Sequence, residues 1–165
     1  MIPEVLRYAA FTDSGSGGNP AGVVLDAKGL SDLQMLAIAY DVGYSETAFV
    51  LPDPDSADPR RRRLRYFSPV AEVAFCGHAT IATAVALAER EGPGHLHLTT
   101  MAGPVTVDTF SGETGLSATL TSPPAHTRPV EADVLQRALL ALHWSLQHLD
   151  PRFPAHVAHA GNDHL

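Results

Sequence analysis

The stretch Ala79 to Ala88 reads ATIATAVALA, ten residues without one charged side chain. A helix on the surface of a globular protein shows a polar stripe, whereas one that is apolar or small all round has to be enclosed by other elements. A chain with such a helix needs a sheet or further helices wrapped about it. The residues just before it, Phe75-Cys76-Gly77-His78, put a thiol, a glycine and an imidazole where the helix presents its free N–H groups and partial positive charge. That end is a natural seat for a carboxylate or a phosphate.

The flanking segments supply the wrapping. Val5 to Phe11 and Gly22 to Leu25 read as strands, separated by the glycine-dense loop Asp13 to Pro20. Ser31 with Gln34 is a capping-box pair, and Met35, Leu36, Ile38 and Ala39 give the following helix one apolar face, ending near Asp41 to Gly43. Ala48 to Leu51 is a short strand of buried type. Pro52 to Pro59 is an acidic, proline-rich loop beside the basic run Arg60 to Arg63 plus Arg65; the run reads as a solvated strand edge offsetting that loop in preference to an anion clamp. The central helix spans about His78 to Glu91 and stops at Gly92-Pro93-Gly94. Three alternating strands follow, around Leu96 and Leu98, Val105 and Val107, and Leu116, Ala118 and Leu120. Period-two alternation between turn residues predicts an antiparallel meander with one covered face. The expected class is α+β: a curved, mostly antiparallel or mixed sheet around one central helix. Residues 1–122 form that lobe. Residues 123–165 give a linker (Thr121 to Pro129), an amphipathic helix within Glu131 to Leu149, and the start of a strand from His156.

The formal net charge of −7 argues against nucleic acid or an anionic membrane as the main partner. No run approaches the roughly 18 apolar residues of a membrane span. The N-terminus lacks the pattern of a secretory signal, and a single cysteine cannot form an internal disulfide, so the expected compartment is the cytoplasm.

Several segments stand in a telling order: Phe11-Thr12-Asp13, Gly18-Asn19-Pro20-Ala21-Gly22-Val23-Val24-Leu25, Ser45-Glu46-Thr47-Ala48-Phe49-Val50, Leu64-Arg65-Tyr66-Phe67-Ser68-Pro69, Glu72-Val73 and Phe75-Cys76-Gly77-His78-Ala79-Thr80. With them the chain resembles the PhzF family of phenazine-biosynthesis-like isomerases, relatives of diaminopimelate epimerase. The resemblance implies two similar lobes with the active site in the cleft between them. It implies cofactor-free proton transfer on a small amino-acid-like or carboxylate substrate, with Glu46 as general acid/base and Gly77 and His78 as substrate contacts. The tail Ala160 to Leu165 resembles the opening of the family's second lobe, while the later Asp-Pro-x-Thr-Gly-Ser-type segment of that lobe has no counterpart. The expectation is a partial chain of such an isomerase, as a homodimer; the alternatives are a non-catalytic fragment that self-associates through the apolar faces of its incomplete second half, and an amino-acid epimerase that depends on Cys76.

The residue types fit those roles. Glu46 stands at the mouth of an apolar strand, a desolvated setting that suits a general base. His78 can donate to or accept from a substrate group near neutral pH. Cys76 reads as a small core hydrophobe, with a thiolate at the helix start as the alternative. Asn19 reads as a turn residue; a phosphate cradle lacks the lysine and glycine spacing of a P-loop. The pairs His95/His97 and His156/His159 lack third and fourth metal ligands at sensible spacing, so no metal site is expected.

Overall fold

The computed structural model describes residues 3–12, 17–113 and 115–165. Residues 13–16 of the glycine-dense loop therefore lie outside the described residues. The chain divides into two compact units, Met1–Pro123 and Pro124–Leu165.

In the first unit the strands are β1 (Leu6–Ala10), β2 (Asn19–Val24), β3 (Thr47–Pro52), β4 (Arg61–Phe67), the short β5 (Glu72–Val73), β6 (Gly94–Thr100), β7 (Gly103–Gly112) and β8 (Gly115–Thr121). They form one sheet in the order β1-β2-β3-β4-β6-β7-β8, with β5 paired to β4. The sheet is mixed: β2 runs parallel to β3 and β4 parallel to β6, while the other pairs are antiparallel. Two helices complete the unit, α1 (Asp32–Val42) and α2 (Gly77–Glu91). Helix α2 touches β1 and β2 at one end of the strand order and β7 and β8 at the other, so the sheet curls around it. The fold is the α+β lobe that the charge-free helix predicts.

Alternation along the strands explains the two layers. Ala21 and Val23, Ala48 and Val50, and Leu64 and Tyr66 point inward onto the α2 side, joined by Leu96, Leu98, Val105 and Val107. Val24, Phe49 and Phe67 point the other way and are covered by Met35 and Ala39 of α1. Strands β2 to β4 are thus buried on both faces, whereas β6 to β8 need cover on one only. Enclosure of α2 is incomplete. Ile81 and Val85 are half-buried and line a groove of about 390 Å³ between Ala9 to Thr12 and Leu116 to Ala118.

Both predicted helix ends are built as expected. Ser31 and Gln34 form a reciprocal capping box, and Gly43 closes α1 in the left-handed conformation (φ 71°). Two readings need correcting. Strand β4 is interior, not an edge, and Arg62 and Arg65, with Arg60 just before the strand, are paired across the surface. Arg65 meets Glu72 through two 2.6 Å bonds and Asp32 at 2.7 Å; Arg62 meets Glu91; Arg60 donates to the last carbonyls of α2 at Glu91 and Gly92. The Arg65 guanidinium holds the Asp32 carboxyl below the usual carboxylate range. These bonds rivet the start of α1 to β4 and β5. The second correction concerns the stretch read as a linker, which contains strand β9 (His126–Pro129).

The second unit holds β9, helix α3 (Ala132–Ala141), a single 3₁₀ turn (Leu146–His148), β10 (His156–His159) and β11 (Asp163–His164), in a three-stranded antiparallel sheet of order β11-β10-β9. Helix α3 is shorter than the predicted amphipathic segment. It ends before His143, which takes a left-handed backbone angle (φ 55°).

Gly22 is fixed by space. A Cβ there would lie 2.6 Å from Thr47 Oγ1 and 2.9 Å from Thr47 Cγ2, and Thr47 is wholly buried. The close approach also leaves Thr47 Oγ1 without a hydrogen-bond partner among the described residues. Gly22→Ala is expected to cost about 1–3 kcal/mol through overpacking. Adding Thr47→Ala should recover part of that loss. Urea-denaturation midpoints of the two variants check it, and equal stability of Gly22→Ala and the unmodified chain would refute the contact.

Candidate active site at the start of helix α2

Glu46 immediately precedes β3, and alternation assigns its direction. Thr47 and Phe49 belong to the face away from α2, so Glu46 shares the inward face of Ala48 and Val50. Its main chain is held by the neighbouring strand, where Gly22 N–H donates to the Glu46 carbonyl at 3.1 Å. The carboxylate consequently meets the first residues of α2. Glu46 Oε2 lies 3.6 Å from Cys76 Sγ and 3.5 Å from His78 Nε2. The ring of His78 also faces the thiol, with Nδ1 3.1 Å from Sγ. All three side chains are at least three-quarters buried (Glu46 22% and His78 10% exposed, Cys76 9%).

One S–H can serve one acceptor. It donates to Glu46 Oε2 at 3.6 Å, and the 3.1 Å contact with His78 Nδ1 then has the ring N–H as donor to sulfur. The thiol thus stands between the carboxylate and the imidazole, in contact with both. Cys76 is the N-cap residue of α2, but its side chain does not cap the helix and no acidic residue occupies the first turn. The carboxylate that faces the positive end of the helix is therefore that of Glu46, from outside the helix. Gly77 has no left-handed backbone and no crowding: an added Cβ would meet only Leu120 Cδ2, at 3.9 Å.

The position of this helix start is set from the core. Thr80 Oγ1 donates to the Cys76 carbonyl at 2.6 Å, and the Thr80 amide donates to the same oxygen at 3.0 Å. Since the single Thr80 hydroxyl proton is used there, the 2.6 Å contact between Tyr66 and Thr80 has the phenol as donor. Tyr66 is fully buried and packs edge-on to Phe75 at 6.1 Å between centroids. Burial pushes its phenol well above the ordinary tyrosine range. Sequence reasoning did not single out Tyr66 or Thr80. The available signal was a threonine four residues after the cap, in an otherwise apolar helix, where its hydroxyl has to bond back to the preceding turn.

Of the residues singled out, the structure brings together Glu46, Cys76 and His78, with Gly77 between the last two. Asn19 is not among them; it opens β2 opposite Ala10 and is exposed. Cys76 is buried as a core residue would be, yet it touches both polar partners. Burial pushes its thiol from an ordinary 9.0 up to about 12, reinforced by Glu46 and opposed by the helix-start amides of Ala79 and His78. His95 and His97 lie on a strand surface, with His95 bonded to Asp108 at 2.6 Å.

A curled sheet around a buried helix thus brings a carboxylate, a thiol and an imidazole together at the helix tip. The chain belongs to the phenazine biosynthesis-like protein (PhzC-PhzF) family, whose model matches residues 8–165. It is 37% identical over 166 residues to the uncharacterised isomerase YddE of Escherichia coli K12, covering 98% of this chain and 54% of that protein. It is 33% identical over 158 residues to the trans-2,3-dihydro-3-hydroxyanthranilate isomerase of Pseudomonas chlororaphis, covering 94% and 53%. In structure it resembles a predicted epimerase of Pseudomonas aeruginosa (TM-score 0.84, 24% identity, 98% of this chain and 57% of that one). The chain spans about half the length of the curated relatives it matches.

Two outcomes follow from this geometry. Thr80→Val strips Tyr66 of its acceptor and Cys76 of a donor while keeping shape, and should cost about 1–3 kcal/mol in denaturant unfolding. The proton on Cys76 should resist removal. At neutral pH the raised value leaves roughly 1,000-fold less thiolate than an ordinary thiol. Iodoacetamide should alkylate the folded chain correspondingly slowly, and the rate should climb only as pH approaches about 12. Between 9.0 and about 12 the folded state holds a proton that the unfolded chain has lost, so stability falls as pH rises through that window. The fall should be shallower in Cys76→Ala.

Proposed function

We propose that this chain is the N-terminal half of a PhzF-type isomerase that moves a proton within a small carboxylate substrate without a cofactor. The observation that carries the reading is the convergence of Glu46 and His78 at an N-terminus of α2 that has no capping side chain. Glu46 acts as the general base, withdrawing a proton from an activated carbon and returning it elsewhere on the substrate. His78 donates from its imidazole to the substrate or passes the proton on. The amide at Gly77 and the helix dipole receive the negative charge that develops, or the substrate carboxylate itself. A glycine at that position, with open space where a Cβ would be, lets a ligand approach the backbone.

Cys76 is assigned a supporting part. A thiol pushed up to about 12 is a poor nucleophile and a poor base near neutral pH, which speaks against an epimerase run on Cys76. The remaining substrate contacts and the opposing acid are assigned to the half of the family architecture outside Met1–Pro123. A reducing cytoplasm suits the single free cysteine.

The test is solvent isotope uptake by the whole protein. In D2O, mass spectrometry of a panel of small unsaturated or α-amino carboxylates should show deuterium entering one compound. The substrate named for the Pseudomonas chlororaphis relative is the first to try. Glu46→Gln should lower that rate by about 10²–10⁴-fold, the span a positioned acid/base contributes, with circular dichroism unchanged. Equal rates in the two proteins would remove Glu46 from the mechanism.

A second reading has its own observation. In Pro124–Leu165, Leu140, Leu142, Trp144, Leu146 and Phe153 are each at least half exposed. Apolar surface of that kind favours association, so the 165-residue chain acts alone as a self-associating, non-catalytic module, a homodimer in its simplest form. Sedimentation equilibrium should then give twice the 17.5 kDa chain mass. A stable monomer at high concentration would count against it.

A further inference from the structure

A carboxylate, a thiol and an imidazole meeting at one point are three different metal-binding groups. Among the described residues, no other set of three or more His, Cys, Asp and Glu donors comes so close together. Taking Nε2 as the histidine donor, the triangle has edges of 3.5 Å (Nε2 to Oε2), 3.6 Å (Oε2 to Sγ) and 3.9 Å (Sγ to Nε2). A point in its plane lies about 2.1 Å from all three atoms, inside the roughly 2.0–2.3 Å span of zinc–ligand bonds. Surface histidine pairs elsewhere offer two donors; this corner offers three that packing already holds.

We propose that Glu46, Cys76 and His78 form a three-ligand site for a borderline-soft divalent metal ion of the zinc class, with further coordination left to water or to a carboxylate ligand. The donor set selects the class. Magnesium and calcium seek oxygen ligands, whereas a thiolate beside an imidazole suits Zn²⁺ or Co²⁺. Binding exchanges the Cys76 S–H bond for an S–metal bond and releases that proton to solvent. His78 gives the lone pair of Nε2, with its proton on Nδ1, and Glu46 gives a carboxylate oxygen. The consequence bears on the proposed reaction. A carboxylate bound to metal is no longer free to take a proton, so the ion is an inhibitor at this site. The inhibitory role rests on the proton-transfer reading; the metal site itself does not.

Cobalt is the probe, because a thiolate bound to Co²⁺ gives a charge-transfer absorption and this chain has one cysteine. Titration of the 165-residue chain with Co²⁺, in a thiol-free reductant, should raise that band to saturation at one equivalent. Excess Zn²⁺ should bleach it. Cys76→Ser should lack it. Glu46→Gln and His78→Ala should each weaken binding by more than the roughly 10–100-fold that loss of even an outer-shell partner costs. Glu46→Gln preserves side-chain size at a partly exposed position and so keeps the test valid should the cysteine variant fold poorly. The double variant His95→Ala/His97→Ala should leave the band unchanged. No thiolate band, or a band whose affinity neither Glu46→Gln nor His78→Ala alters, overturns the site. A band in a protein that, once stripped of metal, still exchanges no deuterium sinks the proton-transfer reading and leaves the metal site standing; exchange without a band does the reverse.

Discussion

The whole architecture depends on hiding a helix that has no polar side. Helix α2 carries eight buried residues, most of them alanine or threonine, and only a sheet bent around it can cover so many directions at once. Small side chains let the strands come close, and the two buried threonines satisfy their hydroxyls by bonding back to the Cys76 and Ala79 carbonyls. A longer residue at most of these positions would push the sheet away. The same requirement sets where chemistry is possible. Apart from the groove at Ile81 and Val85 the sides of the helix are covered, and its N-terminal end carries Cys76, Gly77 and His78.

The site follows from two periodicities meeting. The two-residue repeat of β3 turns Glu46 inward, and the first turn of α2 presents His78 beside its cap residue, Cys76. Gly22 makes the meeting possible by letting β2 approach β3 at Thr47, which fixes the height at which Glu46 leaves the strand. On the far side, Arg65 joins β4 to β5 and to the first turn of α1. Its three bonds are partly sheltered, with the guanidinium only 13% exposed, so they resist salt better than the ion pairs of the outer surface.

Much of this was legible in the residues. The all-apolar helix, its Gly92 stop, the Ser31/Gln34 capping box and the alternating strands β6 to β8 each have a local cause, and each is found where it was expected. What the residues did not disclose depends on distant partners. The interior place of β4 is decided by its parallel pairing with β6, across the whole of α2, and an arginine-rich strand gives no local hint of it. Strand β9 hides in a proline-rich stretch because its pairing is with β10, nearly thirty residues on. At the site, Glu46 and His78 were legible through segment order. Cys76 as their neighbour was not, since burial and polar contact pull a thiol's reading in opposite directions.

The hydrogen-bonded line from Tyr66 to Thr80 to the Cys76 carbonyl joins the middle of the sheet to the tip of the helix. It works as a length gauge, with a rigid aromatic ring at one end and the first peptide of the helix at the other. The spacing of the corner is therefore set from the interior, behind the side chains that meet there. A change behind the ring would slide the helix tip against Glu46 by a fraction of an ångström, with all three side chains of the corner left unaltered.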